Sequence, residues 1–304
     1  MDCRSDHSCG VSHVKDHAFI VTKPLQLMVA LSIMHQLEIS ERSQVIVVDA
    51  FAGARGVAER LAFLPEPFSG ISVEFVDSVR TAYHLVRQNR FSVIFIDADV
   101  GVRKCIDLLR SRLSNFELDI RVYEEGLGTY RKDLYRGIKR SLLDFLGVGT
   151  RFGGFRLTSK LYLYAPDDYR ESFPTSKVSL ELIVKPLSAF IIDNFTLLSR
   201  LFDYKPPAFT KSHRCNLYLS NWAIDDLFIS RFLALLGDSY IKPHPHITDF
   251  KNNNPHSLVV DPAIPAEIAI LGLLELYESV DVYHHGSSVA RYIANDSLNY
   301  ITIE

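Results

Sequence analysis

The chain has 304 residues, 47% of them apolar and 23% charged, and a formal net charge of −3. Its length exceeds one ordinary core and implies two domains; its composition is that of a globular protein; its slightly acidic balance argues against general nucleic-acid binding. No stretch approaches the roughly 18–20 uncharged apolar residues of a membrane span, and the N-terminus lacks the pattern of a signal peptide, so a cytoplasmic location is expected.

Residues 1–16 show no structural pattern and are expected to form a disordered leader. From there, short β-rich runs alternate with amphipathic stretches. Strands are predicted over 18–22, 44–49, 71–76, 91–97 and 119–123. The helices between them are predicted over 25–37, with Pro24 at the tolerated first position, then 57–64, 78–89 and 102–113. This alternation implies a parallel, doubly wound sheet. The glycines around 147–154 and the Pro166-Asp167-Asp168 turn break the rhythm, so the boundary is placed at 150/151. Alternation then resumes, with strands over 178–184, 215–220, 239–242, 257–260 and 280–283. Helices are predicted over 187–202, 225–236 and 265–277, with a short one from near residue 287. The fold class expected is α/β, with two Rossmann-like halves (17–150 and 151–304) facing a central cleft.

Cys105 and Cys215 fall in apolar-periodic segments and read as core residues, whereas Cys3 and Cys9 lie in the leader. No spacing suits a metal, and a reducing compartment is the simpler reading. Between Arg131 and Lys160 eight basic residues face only Asp133 and Asp144. Such a stretch reads either as a solvated helix face or as a contact with an anionic partner, a membrane surface met peripherally or an anionic sugar polymer.

Ligands of open α/β sheets bind beyond the carboxyl ends of the strands, and three polar motifs stand there. Glu124-Glu125-Gly126 ends the fifth strand; its carboxylates point to opposite sides, so at most one can face a cleft and accept a proton from a hydroxyl. Lys242-Pro243-His244-Pro245-His246 crowds positive or donor groups around the end of another strand, with His244 held outside regular structure by Pro245 and able to donate to a phosphate. Gly286-Ser287-Ser288 precedes a helix, where hydroxyls and free backbone N–H groups could bind an anion. Glu267, near another helix start, could accept from ribose hydroxyls or simply suit the helix N-terminus. Separately, Asp49-Ala-Phe-Ala-Gly-Ala-Arg-Gly56 resembles the glycine-rich first motif of S-adenosylmethionine-dependent methyltransferases, and Asp97-Ala-Asp99 has the form of a metal signature.

Taken in order, Tyr123-Glu124-Glu125-Gly126, His244-Pro245 and Ser287-Ser288 resemble the acidic-acidic-glycine, histidine-proline and serine-serine motifs of bacterial sialyltransferases. The resemblance is closest to glycosyltransferase family 52, the lipooligosaccharide and capsule enzymes, and more distant to bacterial polysialyltransferases. The run 20–27, Ile-Val-Thr-Lys-Pro-Leu-Gln-Leu, is similar to that family's first strand and helix. The resemblance implies a two-domain GT-B fold and a metal-independent inverting transfer from CMP-sialic acid, or a related CMP-sugar, to a glycan or glycolipid hydroxyl, by an enzyme that forms a homodimer. Glu125 would be the base, although the family often carries Asp there, which leaves the choice between Glu124 and Glu125 open. His244, with Pro245 and Lys242 beside it, and Gly286, Ser287 and Ser288 would hold the CMP phosphate; Glu267 would hold the ribose. The alternatives are a CMP-Kdo-dependent transferase and a methyltransferase built on the 49–56 motif.

Overall fold

A computed structural model of the chain describes residues 15–206, 213–231, 238–247, 250–251 and 257–303. Most of the expected leader, with Cys3 and Cys9, lies outside them, as does the end of the helix expected over 225–236.

The first half opens with β1 (His17–Val21), α1 (Pro24–Leu37), β2 (Ser43–Val48), α2 (Ala54–Leu61), β3 (Ser72–Val76), α3 (Val79–Asn89), β4 (Val93–Ile96), α4 (Val102–Ser114) and β5 (Asp119–Tyr123). After a 3-10 turn (Leu127–Tyr130) come α5 (Gly137–Phe145), β6 (Thr158–Leu163), α6 (Pro166–Ser172) and β7 (Ser179–Leu182). These strands form one seven-stranded sheet, ordered β3-β2-β1-β4-β5-β6-β7, with every pair parallel. Helices α7 (Leu187–Asp193) and α8 (Phe195–Leu201) lead to β8 (Arg214–Leu219), α9 (Asp226–Arg231), β9 (Ser239–Lys242), β10 (Ser257–Val259), α10 (Ala266–Leu274), β11 (Ser279–His284), α11 (Val289–Tyr292) and β12 (Leu298–Thr302). The second sheet has five parallel strands, ordered β10-β9-β8-β11-β12.

The expected α/β architecture with two parallel sheets is therefore present, and β2, with all six residues buried, carries in residues 45–48 the continuous apolar run of a strand covered on both faces. The boundary expected at 150/151 falls inside the first sheet, because β6 pairs with β5 and β7 with β6. Two polar residues, Ser159 and Lys160, interrupt the apolar pattern of β6, and Gly153-Gly154 in front of it reads as loop, so this strand was not predicted. The single helix expected over 187–202 is two, broken at Asn194, whose side-chain amide donates to the Phe190 carbonyl at 2.9 Å and competes with the backbone ladder.

The two halves share apolar packing. One cluster runs from Phe19 and Leu27 through Phe190 and Ile268 to Leu217 and Val282, so α1, α7 and α10 are packed between the sheets. This is why α1 is buried along most of its length. Both strand orders reverse at their centres, between β1 and β4 and between β8 and β11. A crevice beyond the carboxyl ends is expected at each reversal.

Candidate functional site

A cavity of about 280 Å³ lies where the carboxyl ends of the two sheets meet, at the small end of the range for small-molecule sites. Lys23 and Leu25 follow β1, Glu125 follows β5, Ser220 and Trp222 follow β8, and Lys242, His244, Pro245 and His246 end or follow β9. Glu267 comes from the first turn of α10, and Ser287 and Ser288 follow β11. Motifs far apart in sequence thus line one space.

The two carboxylates of the first motif are separated by the pleat. Glu124 is fully buried and outside the cavity lining. It accepts from the Tyr130 hydroxyl at 2.5 Å, the Tyr292 hydroxyl at 2.6 Å and the Tyr164 amide at 2.9 Å. Burial pushes its pKa up, against those three donors and Arg291, which pull it down. Because Tyr292 belongs to α11, Glu124 ties the second half to the first and fixes the segment that follows Ser288. Glu125 faces the cavity, with its side chain 18% exposed. Lys23 Nζ lies 3.1 Å from Oε2, Gln26 Nε2 3.4 Å, and its own amide donates to Thr129 Oγ1 at 3.0 Å. Burial raises the pKa of Glu125, Lys23 lowers it, and Asp97 raises it further. A carboxylate held above its ordinary pKa beside a cavity is suited to take a proton near neutral pH.

His244 is half-buried, and its amide donates to Ser220 Oγ at 2.8 Å. Its ring stacks on Trp222, with centroids 4.7 Å apart, and Trp222 also stacks on His246 at 4.7 Å. Burial, with the nearby His246, Lys242 and Lys23, pushes the His244 pKa down to about 4, so the imidazole is neutral at pH 7. The His246 amide donates to His244 Nδ1 at 3.4 Å, which assigns the ring proton to Nε2 and leaves that nitrogen as a donor. Lys242 is buried, and its Nζ donates to the Pro243 carbonyl at 2.6 Å and the Pro262 carbonyl at 3.1 Å. Burial lowers its pKa to about 7, opposed by Asp261 and Glu267. Glu267 is buried and shifted upward by burial, with its own backbone amide and Lys242 opposing.

Ser287 and Ser288 line the cavity, but three of the N–H groups expected to be free around them are taken. The Gly286 and Ser287 amides donate to His284 Nδ1 at 3.1 and 3.2 Å, and the Val289 amide donates to Ser287 Oγ at 3.3 Å. What this loop offers an anion is therefore chiefly its hydroxyls. Gly286, with φ +76°, shapes the turn and is not among the cavity-lining residues. Gly126 is required for a different reason. It has φ +115°, and a Cβ there would sit 3.2 Å from Ser288 Oγ, so the first and third motifs are in contact through a missing side chain.

Two other motifs are used structurally. In the 49–56 loop the Ala52 amide donates to the Pro245 carbonyl at 3.1 Å, and a Cβ on Gly53 would lie 2.7 Å from the Ala263 Cβ. The glycine-rich turn is filled by the second half of the chain, where a methyltransferase would leave room for its cofactor. Asp99 is fully buried and caps the 153–158 segment, accepting from the Gly153 and Phe155 amides and Thr158 Oγ1. Asp97 accepts from Gln26 at 3.1 Å and Lys104 at 3.2 Å. Among the described residues no cluster of three or more His, Cys, Asp or Glu side chains is arranged to hold a metal ion.

Trp222 and Lys23 are cavity residues that the sequence reading missed, whereas His246, expected beside His244 at the strand end, also lines the cavity. The available signal was position: the chain's only tryptophan stands just past a strand of a parallel sheet. Fold and cavity together define an α/β protein of two parallel sheets with a compact polar site at their junction. Compared with protein-family models and with curated proteins, the chain matches none.

Proposed function

We propose that the chain is an inverting glycosyltransferase of GT-B type. It moves sialic acid or a related acid sugar from a CMP-activated donor to a hydroxyl of a cell-surface glycan. The observation that supports this reading is the shared cavity: a carboxylate, a neutral imidazole, a buried lysine and a pair of serine hydroxyls surround one nucleotide-sized space.

In this reading Glu125 accepts the proton of the acceptor hydroxyl, whose oxygen attacks the anomeric carbon on the face opposite CMP. The bond to the phosphate oxygen breaks, and negative charge grows on the leaving group. His244 Nε2–H and the hydroxyls of Ser287 and Ser288 donate to that charge, and Lys242 adds a cation whose ammonium is already held by two carbonyls. Glu267 accepts from the ribose. Lys23 holds Glu125 in place, and Glu124 is a positioning residue acting through Tyr292 and α11. Because Glu125 must be ionised, the rate rises with pH through a pKa above that of an ordinary glutamate.

The test is product analysis by mass spectrometry from a panel of CMP-activated acid sugars with a mixed glycan acceptor. Transfer by the native chain and its loss in Glu125→Gln support the proposal; no product from any CMP-sugar, or full transfer by the variant, overturns it.

A further inference from the structure

Helix α5 contributes one fully packed side chain to the fold, Leu143, and turns the rest of its apolar surface outward. Ile138 is 89% exposed, Leu142 56%, Phe145 86% and Leu146 62%. The first three stand at i, i+4 and i+7, which is one helical face. The helix is tethered at both ends rather than along its length. A Cβ on Gly101 would meet the Tyr135 hydroxyl at 3.2 Å, and the Gly149 amide donates to Cys105 Sγ at 3.3 Å. Helix α4, to which both ties lead, exposes Val102 and Ile106 as well.

The charge around this face is equally uneven. Residues 131–146 carry Arg131, Lys132, Arg136, Lys139 and Arg140 against Asp133 and Asp144, a net charge of +3 in a chain whose total is −3. Arg131 and Arg136 pair with Asp133, and Arg140 lies 3.7 Å from Asp144. Lys132 and Lys139 have no acidic partner among the described residues. An exposed apolar face bordered by unpaired lysines is the pattern of a helix that lies in the interface of an anionic bilayer. A second copy fits poorly, because an isologous contact would press the positive border against itself. No helix among the described residues is long and apolar enough to cross a membrane.

We propose that α5 docks the protein on anionic phospholipid surfaces, with Ile138, Leu142 and Phe145 entering the headgroup–acyl boundary and Lys132 and Lys139 meeting lipid phosphates. This does not rest on the transferase reading. The connection from Glu125 to α5 is only residues 126–136, so the docked face belongs to the loop system that carries one wall of the cavity.

The test is co-sedimentation of the full chain with vesicles of phosphatidylcholine containing 30% phosphatidylglycerol, and with pure phosphatidylcholine, at low salt. The native chain is expected to partition onto the anionic vesicles only. Ile138→Ser/Phe145→Ser should lower partitioning at least about 30-fold. Lys132→Gln/Lys139→Gln should lower it about 25-fold, near fivefold per charge removed. All four positions are outside the core, and far-UV circular dichroism verifies that the variants are folded. Failure to bind anionic vesicles, or equal binding by folded variants, overturns the proposal. So does self-association of the native chain in sedimentation velocity that Ile138→Ser/Phe145→Ser abolishes.

Discussion

Neighbouring glutamates in opposite surroundings, one enclosed and one facing the cavity, give the most discriminating prediction. Glu124→Ala removes a fully buried acceptor and leaves the Tyr130 and Tyr292 hydroxyls and the Tyr164 amide without their partner. Each buried polar group stranded in this way costs about 1–3 kcal/mol, so with three of them the variant should lose about 3–9 kcal/mol. For a chain of this size that lowers the thermal midpoint by at least about 5 °C. Tyr292→Phe, which deletes one donor at 2.6 Å, should lose about 1.5–3 kcal/mol. Glu125→Gln should behave differently. Its side chain is partly exposed and its ion pair is with a lysine 41% exposed, so stability should change by no more than about 1 kcal/mol. Transfer, by contrast, should disappear in Glu125→Gln while CMP still binds. Thermal unfolding followed by circular dichroism, run beside a transfer assay, reads both effects. Equal destabilisation by the two substitutions, or transfer surviving in Glu125→Gln, would refute the division of roles.

Three further outcomes are expected. Gly126→Ala places a Cβ 3.2 Å from Ser288 Oγ at φ +115°, so it should lose about 1–3 kcal/mol in thermal unfolding and weaken CMP in titration several-fold. Lys242 holds its proton only up to about pH 7 when folded but up to about 10.5 when unfolded, so between these values the unfolded chain binds the extra proton and stability rises with pH. The displacement corresponds to roughly 5 kcal/mol at most; urea melts across pH 7–10 should show the rise in the native chain and lose it in Lys242→Met. The same titration should weaken CMP binding as pH climbs through 7. Finally, Trp222 is the chain's only tryptophan, 69% exposed and stacked on His244, so CMP should change its fluorescence in a saturable way that His244→Ala alters.

Most of the first sheet was legible because its strands are buried on both faces and its helices are amphipathic; the prediction for β5 and the structure agree over Asp119–Tyr123. The strands that escaped are those with interrupted patterns. β6 hides behind Gly153-Gly154 and Ser159-Lys160, and β12 is an edge strand of half-exposed residues. The convergence of the motifs on one cavity was legible too, since parallel strands bring the loops at their carboxyl ends together. Its wiring was not. Alternation says that Glu124 and Glu125 point apart, but only the tyrosines supplied by distant segments decide which one is enclosed. The hydroxyls of Ser287 and Ser288 were visible, whereas the diversion of their neighbouring amides to His284 depends on a ring that the turn folds back beneath them. Trp222 was passed over because an exposed aromatic in a loop has no periodic pattern to mark it.

Calorimetric titration of the full chain with cytidine monophosphate, beside adenosine and uridine monophosphates and S-adenosylhomocysteine, tests the central claim most directly. One CMP should bind per chain, more tightly than the other ligands and with affinity sharply reduced in His244→Ala and in Ser287→Ala/Ser288→Ala. No heat from CMP, or equal CMP affinity in the folded variants, would contradict the account.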